Sequence, residues 1–298
     1  MGDLVRILVA GGDCRSSYLA NKFYENGFDI SVVCLEKCTK LMSQIDVFKD
    51  LKDALNYADV IVLPLPFSRD NVTLNAPFAE KSLKIKDLFG LLEPRHTIFG
   101  GMMSDKIISQ LEKRKINAID YYKCEDLIIK NALATAEGAI SLIISSSEKT
   151  IHGSKILVSG FGKIGKMLTR ILIDLKAKVS VSARKITDFA WIEGYSATPV
   201  DIREIDKYKL DFDVIINTVP HQIFSEKSLK KLPKDCIYIE LASHPFGTDF
   251  DTAKRVGIKT INAQGLPGTY SPKSAAGYIY SAITNILKEQ RGDFGGKN

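Results

Sequence analysis

Ile156-Leu157-Val158-Ser159-Gly160-Phe161-Gly162-Lys163-Ile164-Gly165 decides the fold. The apolar run at its start has the composition of a buried parallel strand. The G-x-G-x-x-G spacing follows at once. From Lys166 to Lys176, Met167, Leu168, Ile171, Leu172 and Leu175 recur at helical intervals. In a strand–turn–helix setting the three glycines serve a tight turn, close backbone approach to a pyrophosphate, and close helix–strand packing. The free N–H groups of the helix start then face the phosphates. The segment predicts a dinucleotide site built from Gly160, Gly162, Lys163, Ile164 and Gly165.

The next strand, Ala177 to Ser182, bears on which dinucleotide is held. Versions that bind NAD usually place an acid about 20 residues past the loop, on the ribose 2′-OH. Here the strand ends Ser182-Ala183-Arg184-Lys185, and no carboxylate follows before Asp188. Arg184 and Lys185 can pair with a 2′-phosphate, and Ser182 can donate to it. The pattern favours NADP over NAD; the other reading of the two cations is an ordinary solvated basic turn.

Strands at 155–159, 178–182, 213–217, 236–241 and 258–262 are expected to form the second domain. Three of them end in turns that would reach the crevice edge: Thr218-Val219-Pro220, Leu241-Ala242-Ser243, and Asn262-Ala263 leading to Gly265-Leu266-Pro267-Gly268. The first part of the chain alternates in the same way. Strands are expected at 6–10, 30–35, 60–63, 97–99 and 117–121, with helices at 16–26 and 106–113. Gly11-Gly12-Asp13-Cys14-Arg15 is a turn without the third glycine, so it reads as the opening of a flavodoxin-like domain. Alternating strands and helices imply parallel sheets covered on both faces.

The expected layout is an α/β protein of two Rossmann-like or flavodoxin-like parallel-sheet domains joined by a long helix. Residues 1–123 form an N-terminal flavodoxin-like substrate domain, 124–149 the linking helix, and 150–270 an NAD(P)-binding Rossmann domain. Residues 271–298 form a C-terminal helix packing back on the first domain, with Ser271 as N-cap and Pro272 at the first helical position. Arg291 to Asn298 reads as a frayed tail.

Composition is that of an ordinary globular protein: 298 residues, 45% hydrophobic and 26% charged. A formal charge of +6 suits anionic small molecules, but no basic block with interleaved aromatics points to nucleic acid. The five cysteines lack a C-x-x-C pair, and the four histidines lack H-x₃-H or H-E-x-x-H spacing. Reduced thiols and no metal are therefore expected. No apolar run reaches about 18 residues, so no membrane span is expected, and the N-terminus has no signal-peptide pattern.

Further segments carry a resemblance. They are Gly11-Gly12-Asp13-x-Arg15, Thr135-x-Glu137-Gly138, Thr150-Ile151-His152-Gly153-Ser154, the 160–165 loop, and Asn217-Thr218-x-Pro220. Leu241-Ala242-Ser243-x-Pro245-x-Gly247-Thr248-Asp249-Phe250 and Gly265-Leu266-Pro267-Gly268 with Pro272-Lys273 complete the set. Together they resemble the A subunits of bacterial dipicolinate synthase across nearly the whole chain. The 241–250 and 265–273 segments are the specific part. His244 stands where the family often has Arg, and Lys185 where it has Ser.

The resemblance implies a two-domain architecture like that of formate and glycerate dehydrogenases. It also implies an enzyme of the mother-cell cytoplasm in a spore-forming bacterium, partnered by the flavoprotein-like B subunit of dipicolinate synthase. Together they would make pyridine-2,6-dicarboxylate from dihydrodipicolinate or hydroxytetrahydrodipicolinate. A homo-oligomer is left open. Two other readings stand beside it: an NAD(P)-dependent 2-hydroxy or amino acid dehydrogenase, and a nucleotide-binding scaffold inactive alone.

A dicarboxylate substrate needs cationic or N–H-rich clamps, and a hydroxylated one a general acid. Arg15 and Asp13 at a strand end are candidates for substrate binding, with Ser243 and Ser271 as donors. His244, Lys273 and Glu137 are the catalytic candidates. His244 can move a proton or pair with a carboxylate. Lys273 opposes the dipole at a helix start, a cost that a bound anion would offset. Glu137 is either a structural acceptor or a proton acceptor. For the cofactor, Thr218, Val219, Pro220, Leu241, Gly265 and Pro267 join the glycine loop, Ser182, Arg184 and Lys185. Each side chain also has an ordinary structural reading: Arg15 as a surface arginine, His244 as a loop histidine, Lys273 as part of a solvated face.

Overall fold

The computed structural model describes residues 5–290. The expectations for the first four residues and for the tail at 291–298 lie outside them. The chain divides into two compact units: residues 1–130 with 271–298, and residues 131–270.

In the first unit, β1 (Arg6–Ala10), β2 (Asp29–Val33), β3 (Asp46–Phe48), β4 (Val60–Val62), β5 (Thr97–Gly100) and β6 (Asn117–Asp120) form one parallel sheet. Their order is β3-β2-β1-β4-β5-β6. Without β3, that is the flavodoxin-like order expected from the sequence; the short edge strand β3 extends it to the Rossmann order. The helices are α1 (Cys14–Glu25), α2 (Leu51–Tyr57), α3 (Ile85–Gly90) and α4 (Asp105–Glu112). Ile7 and Val9 face one layer of core with Leu19, Ala20 and Phe23, while Leu8 and Ala10 face the other with Ala54, Leu55 and Leu88. Burial on both faces explains why the strands read as continuous apolar runs.

Helix α5 (Glu125–Ser146) runs from the first unit into the second. By length and composition it would suffice to cross a membrane, which the run-length expectation did not foresee. Part of its apolar surface is used inside the protein, while Ile129 and Ile144 are exposed. Leu127 packs in the first unit, and Ala136, Ala139, Ile140 and Ile143 in the second.

The second unit repeats the architecture. Its strands are β7 (Lys155–Ser159), β8 (Lys178–Ala183), β9 (Thr198–Asp201), β10 (Val214–Asn217), β11 (Ile237–Glu240) and β12 (Lys259–Asn262). They are parallel in the order β12-β11-β10-β7-β8-β9. The helices are α6 (Lys163–Asp174), α7 (Ile186–Gly194), α8 (Glu226–Leu229), α9 (Phe250–Arg255) and α10 (Leu266–Tyr270). Leu168 and Leu172 of α6 lie fully buried against Ile156 and Val158 of β7. The strand order reverses between β7 and β10, where an open α/β sheet parts to admit a ligand.

The last helix, α11 (Pro272–Gln290), belongs to the first unit. Ala276, Ile279, Ala282 and Ile283 complete the core beside α1. Phe23 of α1 sits edge-on to Phe28 and to Tyr280 of α11, with centroids 5.3 and 5.0 Å away. Ser271 does not cap α11 as the sequence led us to expect. Its Oγ is buried without a partner, while its carbonyl accepts from Ala275 N. Phe23→Ala should remove the ring on which α1 and α11 meet and cost about 3–5 kcal/mol. A lowered urea midpoint at an unchanged slope would show it; a midpoint within error of the parent would refute it.

Candidate functional site

In the second unit the loops following β7, β10, β11 and β12 all emerge at one edge, because every strand is parallel. The glycine loop lies at the switch point. Gly160 has φ +100°, and a Cβ there would meet Thr218 Oγ1 at 2.5 Å and Val219 Cγ2 at 2.7 Å. A side chain at Gly165 would land on the Gly160 carbonyl oxygen, so only glycine allows α6 to start this close to β7. Gly162 is exposed, with nothing within 4 Å of where its Cβ would stand. It is the N-cap of α6 and supplies no side-chain cap. The start of the helix is thus left without a side-chain cap, the arrangement used to receive a phosphate. These residues fit a dinucleotide pyrophosphate.

At the end of β8 the predicted residues part company. Arg184 and Lys185 are exposed at the start of α7. Ser182 is fully buried, and its hydroxyl lies 3.3 Å from Ser159 Oγ. Its expected role as a donor to a 2′-phosphate is therefore corrected: the side chain lies inside the sheet layer and bonds to the neighbouring strand.

The turn after β10 is held close to the glycine loop. Thr218 donates from both its N–H and its hydroxyl to the Ser159 carbonyl, at 2.9 and 2.8 Å. Val219 is half-buried and Pro220 exposed. After β11, Leu241 is buried, whereas Ser243 and His244 are exposed, and the His244 ring stands edge-on to Phe246. Gly265 adopts φ +74°. Pro267 turns inward and is buried, beside Leu266, which packs over Gly138. Its contribution is to the packing of α10.

The sequence reading missed the group beneath these turns. Glu240, at the end of β11, is fully buried with no cation among its partners. Its Oε1 accepts from Asn217 Nδ2 at 2.7 Å and from Ala242 N at 2.9 Å. Its Oε2 accepts from Gly247 N at 2.8 Å and from the Tyr238 hydroxyl at 3.3 Å. Burial pushes the Glu240 carboxyl above its usual range, and the four donors pull it partly back. Only the G-x-D-F segment downstream hinted at a constrained loop here. A side chain at Gly247 would strike Asn217 Nδ2 and the Tyr238 hydroxyl.

In the first unit, Asp13 caps α1 and accepts from Arg15 N at 3.0 Å. The Arg15 guanidinium is buried, not a surface group. It meets the Asp13 carboxylate through Nε at 2.9 Å and Nη2 at 2.8 Å, and Nη2 also donates to the Leu65 carbonyl. This pair joins the turns after β1 and β4, where the strand order of the first sheet reverses. The expected substrate role of Asp13 is corrected accordingly: its carboxylate is taken up by Arg15, and it holds that guanidinium in place.

Three other candidates stand apart. Glu137 is exposed and has no hydrogen-bond partner among the described residues, so the structural-acceptor reading fails. Lys273 is exposed in the first turn of α11 and makes no ion pair among the described residues. Ser271 Oγ is buried and unpartnered. Among the described residues no three His, Cys, Asp or Glu side chains converge as metal ligands.

Residues 6–122 match the model of the N-terminal domain of the dipicolinate synthase A subunit. Over 98% of this chain and 98% of the relative, the sequence is 28% identical to the A subunit of dipicolinate synthase from Bacillus subtilis. Across nearly its whole length the chain is similar to dipicolinate synthase A subunits. A crystal structure of the dipicolinate synthase A subunit from Bacillus halodurans is 27% identical and superposes with a TM-score of 0.85, covering 95% of this chain and 97% of that one. The architecture reaches further: a transhydrogenase from Sinorhizobium meliloti, 13% identical, gives a TM-score of 0.69 over 95% of this chain and 94% of that one, a likeness of fold alone. The whole-length match to dipicolinate synthase A subunits spans the 241–250 and 265–273 segments that carried the resemblance.

The Asp13–Arg15 pair has a pH signature. Burial pushes the Asp13 carboxyl up, but the hydrogen bonds and charge of Arg15 outweigh it, leaving Asp13 below its ordinary value of 3.8. A lowered carboxyl stabilises the fold above that value and loses its contribution as pH falls through the folded value. Asp13→Ala should cost about 3–5 kcal/mol at neutral pH by leaving a buried guanidinium unpaired. The difference between variant and parent should shrink below about pH 4. Denaturant titrations at pH 7 and pH 3 check both statements, and an equal difference at the two values would exclude this origin.

Proposed function

We propose that this chain is the NADP-linked oxidoreductase component of a dipicolinate synthase. It would act with a flavoprotein-like B subunit in the cytoplasm of the mother cell of a spore-former. The observation that carries the reading is the glycine turn of Gly160, Gly162 and Gly165, with exposed Arg184 and Lys185 at the end of the next strand, in a chain similar over its whole length to dipicolinate synthase A subunits. The substrate is dihydrodipicolinate or hydroxytetrahydrodipicolinate, and the product pyridine-2,6-dicarboxylate.

A bound nicotinamide nucleotide supplies a hydride acceptor. The protein's part is to place a ring carbon against it and to carry off one proton. A dihydropyridine becomes the pyridine when one C–H leaves as hydride and a second hydrogen leaves as a proton. The hydroxylated precursor must first lose water, which needs a general acid at its hydroxyl. Because aromaticity drives the step, positioning dominates, and it can contribute up to about 7–11 kcal/mol.

Arg15 is suited to hold one substrate carboxylate, since Asp13 and the Leu65 carbonyl fix its plane beforehand. Lys273, exposed at a helix start, suits the other. His244, exposed after β11, is the candidate to move the proton. Gly265 and the 218–220 turn complete the nucleotide-facing edge, and Ser243 is available as a donor to the substrate. Glu137, exposed on α5, is available as a proton acceptor.

The decisive assay supplies freshly made dihydrodipicolinate precursor and NADP, with and without the partner protein, and follows dipicolinate absorbance and NADPH together. Matching product and NADPH from this chain alone establish the dehydrogenase. Product only with the partner present assigns a shared reaction. No acceleration over the spontaneous reaction rejects the proposal, and turnover of a 2-hydroxy or amino acid would replace it. The double variant Arg184→Ala/Lys185→Ala should bind NADP about 10- to 100-fold more weakly, the worth of a charge-assisted hydrogen-bond pair, with NAD affinity little changed. Equal losses for both nucleotides would refute 2′-phosphate recognition.

A further inference from the structure

Glu240 is a buried carboxylate that none of the steps above uses. An apolar residue at the end of β11 would be cheaper to bury. What Glu240 does instead is receive donors from both sides of one edge. Asn217 Nδ2 reaches it from the end of β10, and Ala242 N and Gly247 N from the two ends of the loop that carries Ser243 and His244.

Asn217 extends the link. Its Nδ2 also donates to the Val219 carbonyl at 2.9 Å, and its Oδ1 accepts from Val219 N at 3.2 Å. The turn holding Thr218 and Pro220 is thereby fixed to the same carboxylate. Gly247 O in turn accepts from Ile223 N and Phe224 N, at 2.8 and 2.9 Å. Gln264 Nε2 adds a bond to the Ala242 carbonyl from the turn after β12.

In a doubly wound sheet, one three-strand half takes each mononucleotide. The half built on β7, β8 and β9 carries the glycine loop and Arg184-Lys185. The half built on β10, β11 and β12 carries the turns that Glu240 ties together.

We infer that Glu240, acting through Asn217, is a positioning residue that sets the spacing of the turns after β10 and β11 for the nicotinamide half of the cofactor. The inference rests on the nucleotide reading above. It separates two halves of one ligand: the adenosine and pyrophosphate half depends on residues that do not touch Glu240, and the nicotinamide half on turns that Glu240 anchors through Asn217, Ala242 N and Gly247 N.

Glu240→Gln is the sharpest probe. Each carboxylate oxygen accepts two donors, so whichever way a glutamine amide turns, its NH₂ faces donors. Binding to the full chain is measured by calorimetry with NADPH and with 2′-phospho-ADP-ribose, which lacks the nicotinamide. The variant should bind NADPH roughly tenfold or more weakly, the effect of about one misplaced polar contact, and the fragment within about twofold of the parent. Asn217→Ser should show the same selectivity to a smaller degree, and it carries the test if Glu240→Gln does not fold. Tyr238→Phe, losing only the 3.3 Å contact, should keep both affinities. A merely structural role would weaken both ligands alike, and that result, or unchanged NADPH binding, overturns the inference. A parent chain that binds neither ligand overturns the nucleotide reading itself, and the inference falls with it.

Discussion

Parallel pairing is the constraint on which everything else depends. Because all strands of each sheet run one way, every strand-to-helix turn emerges at the same edge. Where the order reverses, at β1/β4 and at β7/β10, successive helices must leave toward opposite faces, and the turns between them part. Polar groups fill those two places. In the first unit a buried guanidinium joins the turns after β1 and β4. In the second, Thr218 closes on the Ser159 carbonyl and Glu240 secures the turns beyond it. The two units thus answer one topological demand with opposite charges.

The electrostatics of the two solutions differ accordingly. Arg15 is neutralised by Asp13, so its remaining edge offers directed N–H groups with little net field. Glu240 has no cation and is served by three amide-type N–H donors and a phenol. Such donors hold a geometry tightly, and each would cost the fold if left unmet. This makes the second arrangement a rigid one in which small changes of shape are expensive.

The glycine loop and its flanking strand and helix were legible because each is a local pattern. The edge strands were not. Asp46–Phe48 and Thr198–Asp201 are too short for periodicity, and Pro199 in the second is tolerated because it lies at an edge. Glu137 sits among apolar residues in the sequence, yet helical rotation places it one heptad from exposed Lys130 and Ile144, on the outer face. The burial of Arg15 was not legible because its partner Leu65 lies 50 positions away, and a backbone carbonyl leaves no trace in a sequence. Glu240 was hidden for the same reason: two of its four donors are backbone N–H groups, which every residue but proline carries.

The placement of α11 has a consequence for biosynthesis. The core around Leu19, Phe23 and Val9 lacks Ala276, Ile279 and Ile283 until the end of the chain has been translated. Residues 131–270, by contrast, contain all the strands of their own sheet. The unit begun before residues 131–270 is therefore completed after them. In the interval the apolar flank of α1 is uncovered, a state in which a chaperone would find its binding surface.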